Sequence, residues 1–167
     1  GFPGQNLERH LQLLSRSQGG QPVGRDRGAG VAAPVLAGLG RQIGRLAVIE
    51  VVAERRDQLR DMYPAVAVLG VTPPCRAAVL AVKPPDVPAA TSAVVGAGAR
   101  RILSIAAGVN LATIEAAAGP GVAVVRCMPN TPALVGKGTS AIAGGSSATD
   151  DDLIWAESIL GAVGIVD

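Results

Sequence analysis

Lys83 and Asn130 stand where side chains can act on a bound small molecule: each follows an apolar, β-branched run and each is fixed against proline. Lys83 closes Ala78-Val79-Leu80-Ala81-Val82 and precedes Pro84, while Asn130 follows Val124-Val125-Arg126-Cys127-Met128-Pro129 and lies two residues ahead of Pro132. Such runs read as buried strands, which proline stops and continues as a rigid loop. A third run, Ile102-Leu103-Ser104-Ile105, ends in the small residues Ala106-Ala107-Gly108, where a ligand can approach the main chain closely. Strand ends of this kind form the ligand-binding edge of an open α/β sheet. The chemistry they suit is recognition, through one cation, one amide and accessible backbone. A plainer reading of each stays open, with Lys83 as a strand-end charge and Asn130 as a turn cap.

The elements that must position these residues alternate between two periods. Strands are expected at Leu46 to Ala53, Val66 to Leu69, Ala77 to Val82, Ile102 to Ala106, Val122 to Met128 and Thr139 to Ala143, with another beginning after Gly161. Helices are expected from Asp57 to about Met62, from about Pro85 to Val95, from an Asn110 cap to about Ala118, and from a Thr149 or Asp150 cap through Leu160. Asp150, Asp151 and Asp152 suit the positive start of that last helix; as a metal cluster they fail, because consecutive helical residues point in different directions. Strands alternating with helices indicate right-handed crossovers, and hence an α/β, Rossmann-like, doubly wound and mostly parallel sheet. Residues 1–30 differ in character, being rich in Gly, Gln, Arg and Ser. They read as a poorly ordered or aberrant extension in which the leucines at 7, 11, 13 and 14 make at most a short helix. Residues 31–167 read as the nucleotide-binding domain.

Composition supports one folded domain and excludes several classes. Of 167 residues, 49% are hydrophobic but only 2% aromatic, and the mean hydropathy of +0.37 belongs to a chain with a core, not to a disordered one. A core of Ala, Val, Leu and Ile suits parallel strands covered on both faces. A net charge of +2 gives no nucleic-acid surface. No apolar run reaches the ~18 residues of a membrane span. Two cysteines, Cys75 and Cys127, make a disulfide scaffold improbable and point to a reducing cytoplasm. Cys127, inside an apolar run, reads as a core residue, and His10 falls in the extension.

Ala81-Val82-Lys83-Pro84, Ser104-Ile105-Ala106-Ala107-Gly108-Val109 and Met128-Pro129-Asn130-Thr131-Pro132-Ala133-Leu134-Val135-Gly136, in this order, resemble the dinucleotide-binding domain of the Δ1-pyrroline-5-carboxylate reductase family. The resemblance runs from about Leu46 to Asp167. It implies NAD(P)H-dependent reduction of 1-pyrroline-5-carboxylate to L-proline, in a homo-oligomer with no nucleic-acid or membrane partner. It also implies that Ala81, Val82, Lys83 and Pro84 contact the cofactor, largely through backbone, that Ala106, Ala107 and Gly108 form the next such turn, and that Asn130 meets the nicotinamide. Arg55 and Arg56, after the second strand, fall at the ribose selector; an arginine there pairs with a 2′-phosphate, so NADPH is favoured and NADH is the alternative. No residue is assigned as catalytic or as a metal ligand.

Two departures from the family qualify that picture. Gly28, Gly30 and Ala33 fit Gly-x-Gly-x-x-Ala, but aligning Leu36-Ala37-Gly38-Leu39 with the family's first helix instead puts Arg27, Ala29 and Ala32 at those positions. Neither register follows an apolar strand, so the central first strand is expected to be missing; a reading-frame change upstream of about Leu36 would account for it. The family's C-terminal helical dimerisation domain is also absent from these 167 residues, so the chain is expected to be inactive alone. The competing readings are a non-catalytic fragment or pseudo-enzyme, and another NADP-dependent reductase of the same fold.

Overall fold

The structure, a computed structural model, describes residues 11–15, 46–129, 138–161 and 164–166. Its strands are β1 (Leu11–Ser15), β2 (Leu46–Glu50), β3 (Ala67–Leu69), β4 (Ala77–Leu80), β5 (Arg101–Ser104), β6 (Ala123–Pro129), β7 (Gly138–Gly144) and β8 (Gly164–Val166). They form one sheet in the order β3-β2-β1-β4-β5-β6-β7-β8. From β3 to β6 every pairing is parallel; β7 runs antiparallel to β6, and β8 parallel to β7. The helices are α1 (Ala53–Met62), α2 (Val87–Gly96), α3 (Leu111–Ala118) and α4 (Asp150–Leu160), with a 3-10 turn at Pro84–Asp86.

Strand periodicity splits the core into two layers. Val48, Val79, Leu103, Val125 and Cys127 turn to one face, where they pack with Leu59 of α1 and with Ala156, Ile159 and Leu160 of α4. Their neighbours Ile49, Ala78, Leu80, Ile102 and Val124 turn to the other, against Val87 and Val94 of α2 and Ile114 and Ala118 of α3. Successive strand residues point to opposite faces, so a run apolar at every position needs cover on both. This is the doubly wound α/β architecture expected from the sequence.

Two local expectations are corrected. Leu11–Ser15 was expected to be at most a short helix within an extension, and the first strand was expected to be missing. Instead these five residues fill the central slot, pairing Leu11–Ser15 with Leu46–Glu50 on one side and Leu11–Leu14 with Ala77–Leu80 on the other. Two flanking strands with open edges supply partners for backbone N–H and C=O groups whatever the side chains, which outweighs local propensity. The second correction concerns β2, expected to run to Ala53. It ends at Glu50, and α1 begins at Ala53 after an extended Val52. Val51 and Val52 favour strand by type, but β3 offers no partner beyond Leu69, whereas Glu54, Arg55 and Arg56 are good helix formers.

The helix ends follow the sequence more closely. Asn110 caps α3, its Oδ1 accepting from Thr113 N at 2.8 Å. At α4, Asp152 reaches back to accept from the Thr149 N–H at 2.9 Å and hydroxyl at 2.8 Å, and it also takes the Arg101 Nε–H at 2.5 Å. Arg101 lies 5.3 Å from the Trp155 ring centre, which fastens α4 to β5. Burial pushes the Asp152 carboxyl up, but the Thr149 N–H and hydroxyl and the Arg101 guanidinium outweigh it and hold the carboxyl below its ordinary 3.8. The unfolded chain therefore binds this proton more readily, so the contribution is present above about pH 3.8 and is lost as pH falls through the folded value. Asp152→Asn is expected to flatten the acid limb of a stability-versus-pH curve from chemical denaturation, leaving the neutral limb parallel to that of the unsubstituted chain.

Between α2 and β5 the backbone turns at Gly98, with φ of +103° and an idealised Cβ 3.2 Å from the Cys75 carbonyl oxygen. Gly98→Ala is expected to cost about 1–2 kcal/mol, from left-handed backbone strain and this contact. It should appear as a lower denaturant midpoint with an unchanged slope.

Candidate functional site

Parallel pairing puts the carboxyl ends of β2, β1, β4, β5 and β6 on one edge of the sheet. The chain leaves β1 towards β2 on one side and returns at β4 on the other, so the topological switch point lies between β1 and β4. A crevice at that point is where such sheets bind ligands.

The residues after β4 and β5 meet there. Leu80 and Ser104 are paired, and Ile105 N donates to Leu80 O at 3.0 Å, so the segments Ala81–Pro84 and Ala106–Gly108 leave adjacent strands. Ala81 is half-buried and Val82 buried, whereas Lys83 and Pro84 are exposed at the start of the 3-10 turn. Ala106 is buried, with its N–H 3.4 Å from the hydroxyl of the fully buried Ser104; Ala107 and Gly108 are exposed. Gly108 has φ of +75° and nothing within 4 Å of an idealised Cβ, so this turn presents bare backbone to open space. Asn130, both candidate registers of the glycine motif between Arg27 and Leu39, and His10 lie outside the described residues.

Arg55 and Arg56 fall in the first turn of α1, but they behave differently. Arg55 is half-buried, 3.5 Å from Gln58 Oε1. Arg56 folds back over the strand end, where Nη1 donates to both Glu50 O and Val51 O at 2.9 Å. Its guanidinium lies over Gly70, whose idealised Cβ would come 3.1 Å from Nη1. That arginine therefore braces the end of β2 and lies beside Gly70, the residue after β3.

Two residues at this edge escaped the sequence reading. Glu50, the last residue of β2, is fully buried; its Oε1 accepts from Val52 N at 2.9 Å, while its buried Oε2 has no hydrogen-bond partner among the described residues. Burial pushes its carboxyl above the ordinary 4.5, opposed by the Val52 and Val51 N–H groups and by Arg55 and Arg56. The signal was present in Leu46-Ala47-Val48-Ile49-Glu50, an apolar run closed by an acid, but Val51 and Val52 masked the boundary. Arg126, on β6 opposite Ser104, has a buried Nε without a hydrogen-bond partner among the described residues. A lone arginine within Val124-Val125-Arg126-Cys127-Met128 was its only mark.

Small residues leave β4 and β5 at the switch point, with a buried acid at the end of β2 one strand beyond β1, in a doubly wound sheet of the Rossmann type, the architecture whose switch point can hold a dinucleotide. Among the described residues Oε2 is an acceptor without a donor and nothing fills the space at the Gly108 turn, so the residues described fit a dinucleotide. The chain belongs to the pyrroline-5-carboxylate reductase family. It is 35% identical over 150 residues to the pyrroline-5-carboxylate reductase of Mycobacterium leprae, a match covering 82% of this chain and 51% of that one. The chain spans about half the length of the curated relatives it matches. Among solved structures it is similar to a pyrroline-5-carboxylate reductase from Coxiella burnetii, with a TM-score of 0.75 at 23% identity over 93% of this chain and 57% of that one. The NADP-bound pyrroline carboxylate reductase of Plasmodium falciparum shares the fold, with a TM-score of 0.67 at 19% identity over 93% and 56%. No family model matches the chain.

Proposed function

We propose that this chain is the cofactor-holding part of an NAD(P)H-dependent reductase that converts 1-pyrroline-5-carboxylate to L-proline in the cytoplasm. The observation that carries the reading is the joint placement of Ala81–Pro84 and Ala106–Gly108 on adjacent strand ends, in a chain 35% identical over 150 residues to a reductase of that name. The nicotinamide cofactor, when bound, supplies the hydride. The protein's part is to position it and keep water away. Ala81, Ala106, Ala107 and Gly108 would let its backbone-facing side approach the main chain, and exposed Lys83 would offer a cation. Asn130 stays in the proposal as the nicotinamide contact.

In this reading the substrate's carboxylate and proton donor are handled by the family's helical portion, which also builds the homo-oligomer. No helix among the described residues is long and apolar enough to cross a membrane. Joining the remaining half of the Mycobacterium leprae relative after Asp167 tests the reading. We expect the chimaera to oxidise NAD(P)H only when 1-pyrroline-5-carboxylate is present, with proline as product, while the 167-residue chain binds cofactor without turnover. A folded chimaera that forms no proline overturns it.

A further inference from the structure

We infer that Arg126 makes the site discriminate between the two redox states of its cofactor, favouring the uncharged reduced nicotinamide over the cationic oxidised ring. This rests on the dinucleotide reading above and adds a specificity-determining residue to it.

Three observations carry it. The first is position. A dinucleotide laid across the switch point has its adenosine over β2 and its nicotinamide over the other half of the sheet, at β4, β5 and β6. Leu80, Ser104 and Arg126 are register partners across those three strands, so Arg126 is level with the last residues of β4 and β5. The second is direction. Side chains alternate along a strand, and Val124 faces the α2–α3 layer with Leu80, so Arg126 turns to that layer too. The turns Ala81–Pro84 and Ala106–Gly108 lead into α2 and α3. Arg126 therefore stands on the side of the sheet to which both cofactor turns lead, beside the fully buried Ser104.

The third observation is an unanswered charge. Arg126 is half-buried, and its buried Nε has no hydrogen-bond partner among the described residues. Its polar contact is a weak one, from Nη2 to the Met128 sulfur at 3.9 Å. The ion pairs found among the described residues engage Arg60 and Arg101 instead. A guanidinium held partly out of water with no acid beside it keeps its full charge for a ligand. The nicotinamide carboxamide carries a neutral acceptor in both redox states, and this can meet the buried N–H. The ring itself differs, being neutral when reduced and cationic when oxidised. A fixed guanidinium therefore leaves the reduced form unopposed and repels the oxidised one. Passage of the hydride from the ring to the C=N carbon of the substrate creates that repulsion, so the spent cofactor leaves more readily.

The test compares ligands that differ at the ring. The 167-residue chain is titrated calorimetrically with NADH, NAD+ and ADP-ribose, and with NADPH and NADP+, before and after Arg126→Met. Like charges several ångströms apart near a protein surface predict that Arg126→Met lowers the ratio of NADH to NAD+ affinity by roughly 3- to 20-fold. The phosphorylated pair should show the same fall, because its extra charge lies at the far ribose. ADP-ribose, which lacks the ring, should bind both chains within about twofold, and Arg126→Lys should keep the ratio of the unsubstituted chain. An unchanged ratio in a folded Arg126→Met chain, or equal weakening of every ligand, overturns the role of Arg126 and leaves the dinucleotide reading standing. Failure of every ligand to bind the unsubstituted chain overturns both. Should Arg126→Met fail to fold, a Lys83→Met chain, lacking the other cation described on this half of the edge, is titrated at low and at high salt. Its ratio must then fall as salt rises, and a level ratio overturns the role of Arg126.

Discussion

Replacing Leu103 by alanine is expected to cost about 2–5 kcal/mol of folding stability, measured as a fall in denaturant midpoint at constant slope. Leu103 lies in β5, fully buried, and is paired to Val79 on one side and Val125 on the other. It is among the largest fully buried side chains of the described residues, and its cluster is otherwise mostly valine, leucine and isoleucine. Branched residues on strands have few rotamers with which to fill a void, so the cavity persists and the cost sits towards the upper end. Domains of this size have roughly 5–15 kcal/mol in total, which makes this one substitution a large fraction of the whole. A loss under about 1 kcal/mol would mean that β5 is not at the centre of the sheet.

Glu50→Gln is expected to do the opposite, stabilising the ligand-free chain by about 1 kcal/mol at neutral pH, or roughly 2–4 °C in melting temperature. The amide keeps the bond from Val52 N to Oε1 and removes a charge held out of water. Because burial raises the folded carboxyl above its ordinary 4.5, the folded chain holds this proton more tightly than the unfolded one. That contribution is fully present below about 4.5 and is lost as pH rises through the folded value. Melts at stepped pH should therefore show the two chains together at the acid end and diverging upward in favour of Glu50→Gln. Such a gain would mark Glu50 as an acid that the fold carries at a cost and does not require. Convergence at neutral pH would show instead that Glu50 is an ordinary helix-start acid.

Strands whose cores are self-contained were readable from composition. Ala77–Leu80 and Ala123–Pro129 are apolar at nearly every position, and Ile102-Leu103 leads on to the apolar Ile105-Ala106-Ala107; a buried parallel strand needs little more to be recognised. The helix starts at Asn110 and Thr149 were readable because a cap is a short-range device within one turn. Leu11–Ser15 was not readable, since Leu-Gln-Leu-Leu-Ser flanked by arginines carries no strand signature. Its conformation is set by partners 35 and 66 residues away in register. The candidate site divides along the same line. Ala81–Pro84 and Ala106–Gly108 were visible as strand ends, because small residues and prolines punctuate locally. Glu50 was hidden by a boundary that β3 and β1 decide, and the unpaired oxygen that marks it exists only once the strand is buried between them.

The central position of β1 has a consequence for synthesis. On the ribosome Leu11–Ser15 is made first, yet it can pair only after Leu46–Glu50 and then Ala77–Leu80 have followed, about 65 residues later. At roughly 5–20 residues per second, that interval lasts about 3–13 s. Throughout it β2 and then β4 present open edges, each a row of N–H and C=O groups that any extended segment can occupy. Chain elongation slowed between residues 50 and 77 would lengthen this exposure and lower the yield of soluble protein, whereas slowing after residue 80 would leave it unchanged. The timing of translation, as much as the sequence translated, then decides how much of the chain reaches the folded sheet.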